Sequence, residues 1–273
     1  MPRINANGIE LHYEIGGRGR RVLFISGTGG DLRNRPNVFD GPLAEHFELL
    51  SYDQRGLGQS EVPPGPYTMA DYGDDAAALL AALGWGSVPV IGVSFGGMVA
   101  QELALRHPEL VQALVLCCTS AGGAGGASYP LHDLADLPPE ERMARNLELS
   151  DLRRTPAWRA GNPERWERLM EMARAGVRDD RNETGAALQL AARAGHDTWS
   201  RLPQLAMPVL IAGGRHDGIA PVANQEALAE RIPGAELQLF DGGHLFMIQD
   251  KRANPAIAER IERHATMRTG IRA

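Results

Sequence analysis

The stretch from Val88 to Gly97, Val-Pro-Val-Ile-Gly-Val-Ser-Phe-Gly-Gly, decides how this chain is expected to fold. Its apolar first half predicts a buried strand, and the helically spaced apolar residues after it predict a helix that ends before Pro108. Ser94 therefore lies at a tight turn from strand to helix, with Gly92 and Gly96 two residues away on either side. Such a turn strains the backbone at its tip and leaves no room for neighbouring side chains. The pattern is typical of an exposed serine nucleophile.

Strand-like runs alternate with helical patterns on both sides of this turn. The runs interpreted as strands are Gly8 to Glu14, Arg21 to Ser26, Phe47 to Tyr52, Val88 to Val93, Leu110 to Cys117, Val209 to Gly213 and Glu236 to Phe240. An amphipathic stretch from Met69 to Leu83 predicts one of the crossover helices that join parallel strands. The alternation predicts an α/β fold with a mostly parallel, twisted sheet flanked by helices.

The segment from about Ala121 to Pro203 differs, because it lacks strand patterns and carries charged helical stretches. Its predicted helices run from Pro139 to Asp151, from Pro163 to Ala175 and from Thr184 to Ala194. We predict a core domain of residues 1–120 and 204–267, with residues 121–203 inserted as a helical cap over the active edge of the sheet. Residues 268–273 are predicted to form a disordered tail.

Composition limits the classes of function. The 273 residues suffice for a substantial core, and 43% hydrophobic and 23% charged residues are typical of a globular protein in water. A net charge of −6 disfavours nucleic acid or an anionic membrane as partner and favours a small uncharged molecule. The sequence lacks an apolar secretory core and a run of about 18 apolar residues, which predicts a cytoplasmic protein without a membrane span. Adjacent Cys117 and Cys118 are predicted to be buried, reduced thiols. The sequence gives no oligomeric state.

A serine hydroxyl needs a base to take its proton, and His244 is the best placed of the eight histidines. It lies in the loop Asp241-Gly242-Gly243-His244, directly after the last predicted strand. Asp217 follows the strand before that and is the preferred carboxylate, because the rival Asp241 is too near in sequence to turn back onto the imidazole. Since parallel strands end at the same edge of a sheet, Ser94, Asp217 and His244 are predicted to form a catalytic triad in that chain order.

Two backbone N–H groups are predicted to form an oxyanion hole. Phe95 begins the helix after Ser94, and Thr28 lies in the glycine-rich loop Ser26-Gly27-Thr28-Gly29-Gly30 after an earlier strand. One well-placed donor of this kind stabilises an oxyanion by about 3 to 4 kcal/mol. A phosphate-binding loop is the alternative interpretation, but the chain lacks a Walker lysine and a G-x-G-x-x-G pattern there.

Substrate contacts are predicted between sheet and cap. The candidates, whose alternative is a place in the core, are Met98, Tyr129, Trp158 and Phe246, and they predict a mostly apolar pocket. Arg153, Arg154 and Arg215 are candidates for binding a substrate carboxylate, with solvated surface positions as the alternative. The sequence shows no metal-ligand spacing and no cofactor fingerprint, and the predicted chemistry requires neither.

Together these motifs resemble the α/β-hydrolase superfamily along nearly the whole chain, from about Ile4 to His264. The stretches that carry the resemblance are Ser26-Gly27-Thr28-Gly29-Gly30, Asp53-Gln54-Arg55-Gly56-Leu57-Gly58-Gln59-Ser60, Gly92-Val93-Ser94-Phe95-Gly96-Gly97, Gly214-Arg215-His216-Asp217 and Gly242-Gly243-His244. The resemblance implies the α/β-hydrolase fold with a helical cap after the sixth strand. It also implies a serine hydrolase that cleaves a small carboxylic ester or lactone through an acyl-enzyme. Many members begin the oxyanion loop with His-Gly, whereas this chain has Ser26, as in enol-lactonase-like members.

Other activities within this resemblance stay open. The same triad would serve hydrolysis of a carbon–carbon bond in a dienoate, or perhydrolysis as in cofactor-free haloperoxidases. Proline iminopeptidases are similar at Asp53 to Gly56 but carry His-Gly-Gly-Pro-Gly in the oxyanion loop, which this chain lacks. A ligand sensor that retains the triad is the alternative of a different class. Ser94 disfavours dehalogenases and epoxide hydrolases, which have aspartate at this position.

Overall fold

The computed structural model describes residues 2–177, 179 and 181–269, and an eight-stranded sheet forms its centre. The strands are β1 Arg3–Ala6, β2 Ile9–Gly17, β3 Arg20–Ile25, β4 Phe47–Tyr52, β5 Val88–Val93, β6 Val111–Cys117, β7 Val209–Gly214 and β8 Glu236–Phe240. Their order across the sheet is β1-β2-β4-β3-β5-β6-β7-β8. The pairs β1–β2 and β2–β4 are antiparallel, and every other pair is parallel. The predicted mostly parallel sheet is confirmed.

At this edge the sequence analysis predicted one strand, from Gly8 to Glu14, whereas the structure has the two strands β1 and β2 of an antiparallel hairpin. Ala6 pairs with Ile9, so that Asn7 and Gly8 form a two-residue turn with φ of 54° and 78°. Asn-Gly is the strongest short hairpin signal, since both residues tolerate a positive φ. The signal was present in the sequence and marks the end of β1.

Ten α-helices lie within the described residues. They are α1 Leu43–His46, α2 Met69–Ala82, α3 Phe95–Arg106, α4 Pro139–Ser150, α5 Pro156–Gly161, α6 Pro163–Arg174, α7 Arg181–Ala194, α8 Val222–Arg231, α9 Phe246–Gln249 and α10 Ala253–Thr269. Four of them, α4 to α7, lie between β6 and β7 in the chain, in the segment 121–203 that we call the insertion. The last helix includes residues 268 and 269 of the predicted disordered tail, and residues 270–273 lie outside the described residues.

The core has two layers, one on each face of the sheet, because successive side chains of a strand point to opposite faces. Val90 and Ile211 lie in the layer formed with α2, α3 and α8. Ile91 and Leu210, one residue along the same strands, lie in the layer formed with α1 and α10. All four are completely buried. Helices on both faces leave the carboxyl edge of the parallel strands as the place where polar loops collect.

Two further predictions concern the burial of the two cysteines and the length of the apolar segments. Cys117 and Cys118 are buried and unbridged, which confirms them as internal thiols. In the described part of the chain, no helix has both the length and the apolar character needed to cross a membrane.

The close approach of α3 to β5 depends on two glycines. A Cβ at Gly92 would collide with the carbonyl of Gly96 and lie 2.7 Å from the Cβ of Ala100. A Cβ at Gly96 would collide with the carbonyl of Ile25 and lie 2.5 Å from that of Ser26. Because the neighbours of a Cβ at Gly96 are backbone atoms of Ile25 and Ser26, they cannot move aside without displacing β3 or the loop after it.

Replacing Gly96 with alanine is therefore expected to lower the free energy of unfolding by at least about 1 to 3 kcal/mol, the usual cost of overpacking. The matched control is Gly161→Ala at the end of α5, where an added Cβ meets no atom within 4 Å. Urea denaturation followed by circular dichroism measures the free energy of unfolding of both variants and of the wild type. Equal midpoints for the two variants would contradict the packing argument.

Candidate active site

Ser94 lies between β5 and α3 in a backbone conformation that residues with side chains rarely adopt, with φ 56° and ψ −117°. Such strain costs about 1 to 3 kcal/mol and persists only where the surroundings impose it. Its N–H donates to the carbonyl of Cys117 at 2.8 Å, and its carbonyl accepts from the hydroxyl of Thr119 at 2.8 Å. Hydrogen bonds to β6 and the residues after it thus fix the orientation of the serine.

The loops after β7 and β8 bring Asp217 and His244 to this serine. The Nε2 atom of His244 lies 2.9 Å from the Oγ atom of Ser94. The Nδ1 atom of the same ring lies 2.8 Å from the Oδ2 atom of Asp217. The structure therefore brings the three predicted residues together with the imidazole in the middle, within reach of both hydroxyl and carboxylate.

Asp217 is held in place by its own backbone turn. Its Oδ1 atom accepts from the N–H groups of Ile219 at 2.8 Å and Ala220 at 2.9 Å, and its side chain has no exposed surface. With one oxygen occupied in this way, the other is aimed at His244. The rival Asp241 is exposed and lies 2.9 Å from a guanidinium nitrogen of Arg153. Asp217, and not Asp241, therefore faces the imidazole.

The loop that carries His244 packs against the insertion. The N–H of His244 donates to the carbonyl of Ser150, the last residue of α4, at 2.6 Å. The preceding N–H, of Gly243, donates to the Oε1 atom of Gln249 at 2.6 Å. A Cβ at Gly243 would collide with the carbonyl of Ser150, so this position requires glycine. The position of the imidazole thus depends on α4 as well as on β8.

The glycine-rich loop after β3, which carries the predicted oxyanion-hole donor Thr28, lies beside the serine. A Cβ on Gly27 would be 3.3 Å from the Cβ of Ser94, and the N–H of Gly30 closes a turn on the carbonyl of Gly27 at 3.2 Å. The N–H groups of Thr28 and Phe95 have no acceptor among the described residues. Both are available to a ligand atom, which is what an oxyanion hole requires.

Two glutamines that the sequence analysis did not single out hold this loop. The Nε2 atom of Gln54 donates to the carbonyl of Ser26 at 2.8 Å. The Oε1 atom of Gln189, on α7, accepts from the N–H of Gly29 at 2.9 Å. Both side chains are completely buried. Gln54 lies in one of the quoted motifs, but Gln189 gave no signal, because a polar residue on an amphipathic helix is expected to face solvent.

The four predicted substrate-contact residues have different places. Met98 is buried and lines a cavity of about 70 Å³, and Trp158 lines a separate cavity of about 590 Å³. Tyr129 packs on a small apolar cluster that joins the insertion to Ile219, in the loop after β7. Phe246 is completely buried and stacks on Phe240 with ring centroids 5.4 Å apart. The structure therefore places Phe246 in the core, because a stacked and enclosed ring offers no surface to a substrate.

The three arginines considered for a substrate carboxylate are placed as follows. Arg153 pairs with Asp151 at 2.8 Å and with Asp241 at 2.9 Å, so its charge is already balanced. Arg154 is buried and donates to a backbone carbonyl and to a serine hydroxyl of the insertion. Arg215 is exposed. The structure brings none of these three described side chains into contact with Ser94.

One group of potential metal ligands occurs at this site. Single atoms of Cys118, Asp217 and His244 lie within 4.8 Å of one another. Burial, together with the nearby Asp217 carboxylate, raises the pKa of the Cys118 thiol well above its usual value. A protonated thiol is a poor metal ligand, and Asp217 and His244 already share a hydrogen bond, so this group does not fit a metal centre.

Comparison with known proteins gives consistent matches. A family model described as alpha/beta hydrolase fold matches residues 20–251. The chain is 31% identical over 227 residues to the poly(3-hydroxyalkanoate) depolymerase of Ectopseudomonas oleovorans. The match covers 83% of this chain and 78% of that protein. It is 26% identical over 256 residues to 3-oxoadipate enol-lactonase 2 of Acinetobacter baylyi, with 92% of each covered. The crystal structure of the enol-lactonase from Burkholderia xenovorans LB400 matches with a TM-score of 0.76, 26% identity and coverage of 97% of this chain and 100% of that one.

The contact between α7 and the glycine-rich loop leads to a prediction. Gln189→Leu removes the acceptor of the Gly29 N–H, so amide hydrogens of residues 26–30 are expected to exchange with deuterium faster than in the wild type. Hydrogen–deuterium exchange read by mass spectrometry measures this. The control is Gln204→Leu, because Gln204 is exposed. Unchanged exchange in Gln189→Leu would show that the contact does not order the loop.

Proposed function

The chain belongs to the α/β-hydrolase family, and from this premise we propose that it is a serine hydrolase that cleaves a small carboxylic ester or lactone through an acyl-enzyme. The observation that carries the proposal is the row of hydrogen bonds from the hydroxyl of Ser94 through His244 to Asp217. Nucleophile, base and orienting acid are the three roles that acyl transfer needs, and each has one side chain in this row.

Acylation is the first half of the proposed reaction. The Oγ atom of Ser94 attacks the carbonyl carbon while its proton passes to the Nε2 atom of His244. Asp217 stabilises the imidazolium that forms and keeps the Nδ1 proton between ring and carboxylate. The negative charge on the carbonyl oxygen is stabilised by the N–H groups of Phe95 and Thr28, each contributing about 3 kcal/mol. The carbon–oxygen bond to the leaving alcohol then breaks, and the alcohol takes the proton from His244.

Deacylation repeats these steps with water. His244 accepts a proton from the water as its oxygen attacks the acyl carbon. The bond between the acyl carbon and Ser94 then breaks, the proton returns from His244 to the serine, and the free acid leaves. In a lactone the released alcohol stays attached to the acyl group, so a single hydroxy acid is produced.

The bond type is supported by one relative's name. The Acinetobacter protein is named an enol-lactonase, and a lactone is a cyclic ester. This chain is 26% identical to that protein over 256 residues, which cover 92% of this chain. We therefore assign an acyl–oxygen bond, rather than a carbon–carbon bond, to the proposed substrate.

The insertion is proposed to act as the cap that bounds a small substrate. Two contacts support this role: Gln189 binds the loop after β3, and Ser150 binds the loop after β8. A segment joined to both loops lies across the edge where Ser94 is. Such a cover excludes water and limits substrate size.

The proposal predicts a large loss of activity in two variants. Ser94→Ala and Asp217→Asn are expected to lower kcat for p-nitrophenyl butyrate by at least about 10³-fold, because each removes one member of a cooperating set. The matched control is Asp241→Asn, which removes the same charge from the exposed rival carboxylate and is expected to keep wild-type rates. Steady-state release of p-nitrophenol measures all three. Wild-type turnover by Ser94→Ala would overturn the proposal, and equal losses in Asp217→Asn and Asp241→Asn would overturn the role of Asp217.

A further inference from the structure

A cavity of the core domain borders the catalytic base, and the mechanism above does not use it. Its volume is about 420 Å³, which lies within the range of roughly 300–1,000 Å³ that is usual for small-molecule sites. The imidazole-bearing residue His244 is part of its wall. We call this cavity the apolar groove, because most of its wall consists of apolar side chains, among them Phe24, Val38, Val93, Leu245, Met247 and Ile248.

The apolar groove is joined to the reacting hydroxyl through its own wall. The Nε2 atom of His244 lies 2.9 Å from the Oγ atom of Ser94. Val93, on another part of the wall, directly precedes Ser94 in the chain. The described residues that line the groove do not include Thr28 or Phe95, whose N–H groups are the predicted oxyanion donors. The groove therefore lies on the side of the base and not on that of the carbonyl oxygen.

The polar side chains of the wall other than the imidazole are engaged within the protein. The Nδ2 atom of Asn37 donates to the carbonyl of Leu32 at 3.0 Å, and the Oδ2 atom of Asp40 accepts from the N–H of Asn37 at 2.9 Å. The Nδ2 atom of Asn254 donates to the carbonyl of Met247 at 2.7 Å. A ligand in the groove thus meets mainly apolar surface, and removal of such surface from water is what favours its binding.

The apolar groove has a floor in the core and an exposed rim. Phe24 and Val93 pack on the buried layer that the sheet forms with α1 and α10. At the rim, Leu245 is 46% exposed and Ile248 is 79% exposed. Single exposed apolar side chains are common, but a group of them bordering a cavity marks a binding site. An apolar ligand would cover this rim.

The insertion does not contribute to this wall. The described residues that line the apolar groove fall at positions 24, 36–43, 93 and 244–254, outside the insertion at 121–203. The insertion and the groove can therefore contact different parts of one substrate.

We propose that the apolar groove binds the alcohol portion of the substrate, so that the preferred substrate is an open-chain ester of an apolar alcohol with several carbons. This inference rests on the proposed function and names its substrate class. The base returns its proton to the oxygen of the leaving alcohol, so this oxygen must lie at the Nε2 atom of His244. The carbonyl oxygen lies instead at the N–H groups of Thr28 and Phe95. The carbons of the alcohol therefore extend along the wall that His244 shares, and the acyl chain extends away from it.

The chain length of the alcohol provides the first test, with the acyl group kept as acetyl. We expect kcat/KM of the wild type to rise from ethyl to butyl to hexyl acetate by about threefold for each methylene that the groove buries. A pH-stat follows acid release from every ester. Equal kcat/KM values for the three acetates would overturn the inference.

A double variant assigns this gain to the groove. Leu245→Ser combined with Ile248→Ser removes apolar surface from the exposed rim, and is expected to lower the ratio of kcat/KM for hexyl acetate to that for ethyl acetate by about tenfold. The isomeric esters ethyl butyrate and ethyl hexanoate carry their extra carbons on the acyl side, and their ratios to ethyl acetate are expected to stay as in the wild type.

The matched control is Met172→Ser, which removes an apolar side chain that is 69% exposed on α6 of the insertion. It is expected to leave the ratios of both series as in the wild type. If the double variant kept the full ratio of hexyl to ethyl acetate, or lost the acyl-side ratios equally, the groove would not be the site of the alcohol.

Binding without turnover separates this inference from the proposed function. In Ser94→Ala with labelled methyl groups, 1-hexanol is expected to shift the NMR signals of Val38, Leu245 and Ile248 at a concentration where ethanol does not. If esters are hydrolysed through Ser94 but the acetates gain no rate and 1-hexanol shifts none of these signals, the inference is wrong and the proposed function stands. If 1-hexanol shifts them but no ester is hydrolysed, the proposed function fails alone.

Discussion

The backbone of Ser94 is the constraint on which the rest of the structure depends. A φ of 56° is retained only because β5, β6 and α3 surround the residue and leave it no relaxed alternative. Gly92 and Gly96 let α3 approach β5 and the end of β3 closely enough to enforce this. Because β5 lies between β3 and β6 in the sheet, the loops that follow the neighbouring parallel strands all open beside the same hydroxyl. The strained backbone of Ser94, the strand order and the position of the polar loops therefore depend on one another.

The insertion takes part in this arrangement at the level of single atoms. The carbonyl of Ser150 binds the N–H of His244, and Gln189 binds the N–H of Gly29. These contacts join His244 and the glycine-rich loop after β3 to α4 and α7. The segment proposed as the cap is therefore also in contact with the two loops that lie beside Ser94.

The sequence predicted those parts of the site that local backbone rules determine. Ser94 was identified because it lies at the tip of a strand-to-helix turn between two glycines, and Asp217 and His244 because they follow parallel strands. Gln189 was missed, since a polar residue of an amphipathic helix is expected to face solvent and only the packing of α7 buries it. Phe246 was predicted to contact substrate from its nearness to His244, but its ring is completely buried and stacks on Phe240 in the core. Positions fixed by long-range packing leave no periodic signal in the chain.

The central claim is that the hydroxyl of Ser94 is a nucleophile activated by His244, and a fluorophosphonate probe tests it directly. Intact-mass measurement followed by peptide mapping should show one adduct per chain, located on Ser94. The rate of its formation should fall by at least about 100-fold in His244→Gln, the lower end of what general-base catalysis supplies. An adduct on another residue, or an unchanged rate in His244→Gln, would contradict the account.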